Sequence, residues 1–497
     1  MDFIKEVIVT FSEYDKEEFV RFLSRKRPTS ARKDVGVFLE LYRSYQNNSP
    51  VPPKLKGSQN YHAIRKRISK EFEGYLMLKT TNLDRFKKES KLMMVQYFIN
   101  LNKYEIAWEL LLKEEKEAES QNNTFINLLI QRMKLQILPF YAQESFIPTQ
   151  KKLLVLQKQL AVEDQFQLYF IQIQQELKNQ LSLGEVKGTS GIIKDCLKNY
   201  TALKDLAISP KTHLRTIEII RTEYLIKRRY YLLVSALKEY YENVVDLFVK
   251  GKNLAPELAR LEYIMAHAYY NVRQFDSARE HLSRINELMK KNNAIHSNFI
   301  VKYISISGSI AVFSGKIEDA IIAHNNFLAG KSHKINEKDF LNLSLNLVAY
   351  YCTCGDFKQA NRELLYMNKS TAYYQKNMGR EWLIRKEMIR VICQVEIGNI
   401  ENSLTILKSI KVQHQEMIEL EEYRLVSAFI DLVIRYLNDP FSSTIEQLEK
   451  AIASFNIQKQ KLFEDPKLLA FYSWLKSKLL SKNLYDVLLS EYALINK

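Results

Sequence analysis

Histidine and cysteine are the residues of this 497-residue sequence best suited to ligate a metal or to serve as base and nucleophile. The eight histidines, His62, His213, His267, His281, His296, His324, His333 and His414, are scattered singly. None forms His-Glu-x-x-His, and none stands at ligand spacing from a cysteine. Cys352-Thr-Cys354 lacks the two-residue spacer of redox and zinc motifs. Cys196, Cys352, Cys354 and Cys393 therefore read as small buried hydrophobes in a reducing compartment. Gly330-Lys331-Ser332 has the ending of a phosphate loop, but Asn325 replaces the first glycine and the preceding residues 317–328 are patterned as a helix, not a strand. No Gly-x-Ser-x-Gly elbow or dinucleotide-binding glycine fingerprint is present. No catalytic residue, metal or cofactor is expected, and the chemistry left is recognition.

Charge is the first recognition signal. The chain carries 73 Lys/Arg against 57 Asp/Glu, a formal net charge of +16. Such an excess attracts nucleic acid, anionic lipid or acidic protein without choosing among them. Residues 1–90 hold 19 Lys/Arg and 12 Asp/Glu, so the excess is concentrated there. Arg25, Lys26, Arg27, Arg32 and Lys33 form one run without an acidic residue, and Arg65, Lys66 and Arg67 another. As a nucleic-acid element these cations would neutralise phosphates. Asp34–Tyr45, the helix that would enter a groove, is mostly apolar and poorly suited to base edges. A solvated basic face is the plainer reading.

Helices must position all of these residues. Gly and Pro together number 23, under 5% of the chain, against roughly 12% on average. That leaves too few turns for an all-β fold and too few glycine loops for a nucleotide-binding α/β fold. Two helices are expected within 13–46, with Phe19, Phe22 and Leu23 buried on the first and Val35, Phe38, Leu39 and Tyr42 on the second. A stiff connector at Ser49–Pro53 follows, then a long helix from about 58 presenting Ile64, Ile68, Phe72 and Tyr75. No run of 18 apolar residues occurs, so no membrane-spanning helix is expected. The opening Met1–Glu6 lacks a basic stretch before an apolar run, so a cytoplasmic protein is expected.

One pattern recurs: a turn-former, a polar residue, a large apolar residue, two positions and a small residue. It reads Asn102-Lys-Tyr104-Glu-Ile-Ala107, Arg273-Gln-Phe275-Asp-Ser-Ala278, Gly315-Lys-Ile317-Glu-Asp-Ala320, Gly355-Asp-Phe357-Lys-Gln-Ala360 and Gly398-Asn-Ile400-Glu-Asn-Ser403. The turn-former ends one helix in a left-handed residue, the large residue plugs the corner, and the small one lets the next helix approach. Positions 273, 315, 355 and 398 lie 42, 40 and 43 residues apart. Projection places further turns near Asp439, Arg229, Gly184–Gly191 and Gln143–Pro148. Helical hairpins of about 41 residues, each helix 16–18 long, would then fill residues 91–497 behind a basic segment 1–90.

This pattern resembles the tetratricopeptide repeat family, most clearly over residues 260–410. The period is longer than in that family, the Trp-x-x-Leu-Gly element is missing, and Val348 and Val391 stand where Ala266 and Gly308 fit its glycine position. The opening residues resemble those of some bacterial helical-repeat proteins, which imply no activity. The resemblance implies an all-α fold, a right-handed superhelical stack of antiparallel hairpins whose first helices line the inner face. It also implies a non-catalytic scaffold that binds a protein or peptide there; the basic segment 1–90 keeps a nucleic-acid-associated regulator as the alternative, and the lack of a long apolar run leaves no membrane partner expected. Candidate contacts on that face are Arg260, Tyr263, His267, Tyr270 and Asn271, then Lys302, Ser305 and Ser309, then Asn342 and Arg385.

Overall fold

The computed structural model describes residues 2–25, 33–46, 50, 60–81, 87–120, 122–141, 144–183, 209–226, 229–251, 254–331, 335–420, 423–440, 446–447, 450 and 466–495. Among them there is no β-strand, and helices make up nearly all of the described residues. Lys26, Arg27, Arg32, Cys196, Ser332, His333, the connector beyond Pro50, the turn expected at Gly184–Gly191 and most of the stretch after Asp439–Pro440 lie outside the described residues. Contacts divide the chain into two compact units, Met1–Glu119 with Phe125–Leu154, and Ser120–Thr124 with Val155–Lys497.

In the first unit, helices α1 (Phe3–Val9), α2 (Glu13–Ser24), α3 (Lys33–Gln46) and α4 (Tyr61–Thr81) share one apolar core. Ser12 and Asp15 form a reciprocal capping box that starts α2, and Glu13 adds negative charge to the same end. Phe19, Leu23, Phe38, Ile68 and Phe72 are fully enclosed, with the Phe19 and Phe72 rings stacked at 4.2 Å. A second core around Trp108, Leu111 and Ile130 joins α5 (Lys87–Asn100), α6 (Tyr104–Ser120) and α7 (Thr124–Ile137). Helix α8 (Phe146–Leu183) runs for 38 residues, where hairpins of 16–18-residue helices were expected. From Thr149 to Leu183 neither glycine nor proline interrupts it, so nothing forces a turn.

The second unit continues with α9 (Pro210–Ile226), α10 (Tyr230–Lys250), α11 (Ala255–Asn271), α12 (Phe275–Lys291), α13 (Asn293–Phe313), α14 (Ile317–Lys331), α15 (Glu337–Cys354) and α16 (Phe357–Tyr366). Then come α17 (Thr371–Met378), α18 (Arg380–Glu396), α19 (Ile400–Gln413), α20 (Gln415–Ile418), α21 (Arg424–Asn438), α22 (Pro466–Leu480) and α23 (Leu484–Ile495). Consecutive helices pack as neighbours, and the first helices of successive hairpins, α9, α11, α13, α15 and α18, also touch one another. Among the described residues the second helices make no comparable contact with one another. Burial follows the same division. Helix α12 buries a single stripe of Phe275, Ala278, Leu282, Ile285 and Met289, as an outer amphipathic helix does. Helix α11 instead buries Ala259 and Ala266 against the following hairpin and Leu261, Ile264 and Met265 against the preceding one.

The turns have one geometry. Asn102, Arg273, Gly315, Gly355 and Gly398 all adopt positive φ, from 56° to 90°. After each, the next amide returns to a carbonyl five residues back: Lys103 to Phe98, Gln274 to Tyr269, Lys316 to Ala311, Asp356 to Tyr351 and Asn399 to Gln394, at 2.8–3.0 Å. The turn residue's own amide reaches the carbonyl three back, completing a Schellman motif. The small residues Ala107, Ala278, Ala320, Ala360 and Ser403 are all at most 2% exposed. Ser481, 83 residues after Gly398, has φ 52° and the same pair of return bonds. That is two further periods, and sequence reading missed it because Ser481 is not a typical left-handed residue. The hairpin it closes, α22 and α23, packs back across earlier turns. Tyr492 stacks on Phe275 at 5.2 Å, and the Tyr485 hydroxyl donates to the Val312 carbonyl at 2.7 Å.

One residue beneath this packing is sensitive to acid. His324 on α14 is fully buried beside Tyr350, and a Cβ on Gly308 would meet its ring at 2.4 Å. Its Nδ1 donates to the Ala320 carbonyl at 2.9 Å, and Nε2 has no partner. Burial pushes its pKa down to about 4.

Two outcomes follow from the turns and from His324. A Cβ at Gly315, Gly355 or Gly398 would meet nothing within 4 Å, so each glycine-to-alanine change costs only backbone strain, about 1–2 kcal/mol, whereas Ser481→Gly stabilises by about 1 kcal/mol. Chemical denaturation of the four variants checks this, and unshifted midpoints would contradict it. His324 stays neutral in the fold while the unfolded chain gains a proton below about pH 6.5. Its stabilising contribution is therefore complete above that pH and is lost as pH falls toward 4, by up to about 3 kcal/mol. Between pH 7.5 and 4.5 the wild type should lose that much more stability than His324→Gln; parallel losses would refute it.

Candidate partner-binding face

Arg260, Lys302, Asn342 and Arg385 each stand thirteen residues before the left-handed turn of their hairpin. A helix rises about 1.5 Å per residue, so equal offsets set these side chains at equal depth on neighbouring first helices. Arg260, Lys302 and Arg385 enter a polar row with neighbouring side chains, and Asn342 stands at the same depth on α15.

At one end, the Arg260 guanidinium pairs with Glu218 of α9. Arg221, one turn further along α9, lies within 3.5 Å of His267 Nδ1, which also accepts from the Asn271 side chain at 3.1 Å. Two donors on Nδ1 place the ring proton of neutral His267 on Nε2. In the middle, the Tyr263 ring carries the Lys302 ammonium at 5.2 Å and the Arg221 guanidinium at 5.8 Å from its centroid. At the other end, Ser305 accepts from the Asn346 amide at 2.9 Å, and Asn346 Oδ1 accepts from Arg385 at 2.7 Å. Ser309 and the Tyr350 hydroxyl meet at 3.0 Å.

Charge in the row is crowded. Burial raises the Glu218 pKa, against the pull of Arg260, Arg221 and Arg215. Burial among protein walls lowers that of Lys302; Arg260 and Arg221 lower it further, and Asp339 partly offsets them. Arg221 and Lys302 share one ring, so their charges lie within about 11 Å of each other. At an effective dielectric near 20 that repulsion is about 1.5 kcal/mol, and solvent around the exposed Lys302 screens it.

Most expected contacts fall in this row, with two differences. Asn271 is buried and orients His267, while the Tyr270 ring stacks on Phe275 at the hairpin corner. Asn342 is half-buried on α15. Sequence reading missed Glu218 and Arg221, because the repeat is faint across α9. It also missed Asn346, although one helical turn separates it from Asn342 on the same face.

His281 belongs to a different arrangement. It bonds Glu262 at 2.6 Å inside the hairpin, and Glu262 also accepts from the Tyr241 hydroxyl at 2.7 Å. Arg284 donates to that hydroxyl at 2.7 Å. This network ties α10, α11 and α12 together in the interior.

Two of the five described basic N-terminal candidates are engaged within their own unit. Arg25 pairs with Glu71 at 3.1 Å and stacks on Phe22, and Arg65 pairs with Asp2. Lys33, Lys66 and Arg67 are exposed. Among the described residues no three His, Cys, Asp or Glu side chains gather as a metal site, and no helix is long and apolar enough to cross a membrane. Cys352 and Cys393, 41 residues apart on neighbouring first helices, bring their thiols to 3.1 Å in the core. The chain matches no known protein family, no curated protein and no solved structure.

Removing the Glu262 carboxylate would leave His281, Tyr241 and Arg284 without their shared acceptor. Glu262→Ala should therefore destabilise the second unit by about 3–5 kcal/mol, measured by hydrogen exchange of α10–α12; protection equal to wild type would show the network to be dispensable.

Proposed function

We propose that the second unit is a tetratricopeptide-like, right-handed superhelix that binds a protein or peptide along the row from Glu218 to Arg385, without catalysing a reaction on it. The observation that carries this reading is the continuity of the row. Side chains from five successive first helices, α9, α11, α13, α15 and α18, meet through hydrogen bonds, an ion pair and ring contacts. The mutual approach of these helices, unmatched among the second helices, supports an inner side on which they lie. Half-exposed tyrosine and guanidinium groups between rigid helices suit recognition of an extended chain, because their own conformational freedom is already restricted.

The experiment is affinity capture from the native host. The combined variant Arg260→Ala, Lys302→Ala and Arg385→Ala, and separately Asn342→Trp, should each reduce recovery of the wild-type partner at least tenfold. Glu287→Ala with Lys290→Ala, exposed on the outer helix α12, should leave it intact. Circular dichroism checks that every variant remains folded. A partner kept by folded face variants, or lost with the outer pair, would overturn the proposal.

A further inference from the structure

The α9–α13 end of the row is short of negative charge. Arg221 and Lys302 converge on Tyr263, and Arg260 is close enough to repel Lys302. Glu218 already serves Arg260, and Asp339 attracts Lys302 without forming an ion pair among the described residues. Lys302 contacts only the Tyr263 and Phe299 rings, the latter at 4.9 Å. Arg221 has its Nε enclosed without an acceptor among the described residues, and its other polar neighbours are the His267 ring and the Tyr263 hydroxyl. Two cations are thus held beside one aromatic ring, and neither forms an ion pair among the described residues; Glu218, which attracts both, is itself paired with Arg260. The row's other end shows the contrast: Arg385 is bound by Asn346, which is in turn held by Ser305.

We infer that the Arg221–Tyr263–Lys302 cluster is an anion subsite, and that the partner read along this row presents an acidic side chain to it. A carboxylate placed between the guanidinium and the ammonium would form charge-assisted hydrogen bonds to both and remove their mutual repulsion. Tyr263 lies within reach of both cations, and Asn271 holds the His267 ring beside Arg221. The subsite rests on the reading of the row as a ligand surface, yet the two fail separately. Peptide chemistry is favoured over a lone anion because the polar row continues past Lys302 across α13, α15 and α18, offering amide and hydroxyl partners to a chain leaving the subsite.

The test uses the full-length protein, a capped hexaglutamate peptide, a capped hexaglutamine peptide and inorganic phosphate, all at matched ionic strength in calorimetric titrations. Hexaglutamate should bind and hexaglutamine should not. The double variant Arg221→Gln, Lys302→Gln should weaken hexaglutamate at least tenfold. Lys66→Gln with Arg67→Gln removes the same charge from an exposed site in the first unit and should change affinity less than twofold, which separates the subsite from the bulk charge of the chain. Should the Arg221 variant fold poorly, Lys302→Gln alone should still weaken binding at least threefold. Equal hexaglutamate affinity in wild type and the double variant would overturn the inference, as would phosphate binding without hexaglutamate binding, which would assign the cluster to a phosphorylated ligand. If the double variant keeps the native partner while the face variants lose it, the subsite fails and the wider proposal stands; if both keep it, the wider proposal fails as well.

Discussion

The second unit depends on a backbone constraint, a single left-handed residue at each of the turns at Arg273, Gly315, Gly355, Gly398 and Ser481. Once that residue takes positive φ, two return bonds satisfy carbonyls that the helix end would otherwise leave exposed, and the following helix departs in a fixed direction. Rigid helices transmit the choice outward. A side chain thirteen residues before the turn sits about 20 Å from it, so regularity at the turns becomes alignment across the face. Arg260, Lys302, Asn342 and Arg385 form a row because Arg273, Gly315, Gly355 and Gly398 turn alike.

Packing then sorts the two helices of each hairpin into different roles. The first helix lies between neighbours and must bury opposite sides, which small residues such as Ala259, Ala266 and Gly308 permit. Such a helix keeps only a narrow strip for anything else, and that strip carries the polar row. The interior also accepts polar groups where they are fully partnered, as at Glu262, His281 and Tyr241. The contrast with Arg221 and Lys302 lies in pairing: one cluster closes on itself, and in the other neither cation forms an ion pair among the described residues.

The returning hairpin α22–α23 adds a constraint that an open stack lacks. Tyr485 and Tyr492 pack across the edge formed by Val312, Phe313 and Phe275, so the turns that set the register are themselves held in place. Apolar and aromatic contact there is non-directional, which lets one short helix span successive turns despite a separation of more than 170 residues in sequence.

The sequence by itself determined whatever local backbone chemistry controls: the scarcity of glycine and proline that makes the chain helical, the α2, α3 and α4 faces with Phe19, Phe38 and Phe72, and the five turns with their buried small residues. These are legible because left-handed residues and helical periodicity act over a few positions. The equal offset of the face residues was also readable, since it counts along one helix. Only the tertiary structure decided which groups meet: Glu218 with Arg260, Asn346 between Ser305 and Arg385, Tyr492 over Phe275, and His281 turned inward while His267 faces the row. Each of those pairings joins separate helices, and their partners are chosen by the packing of whole elements, which no short window of sequence contains.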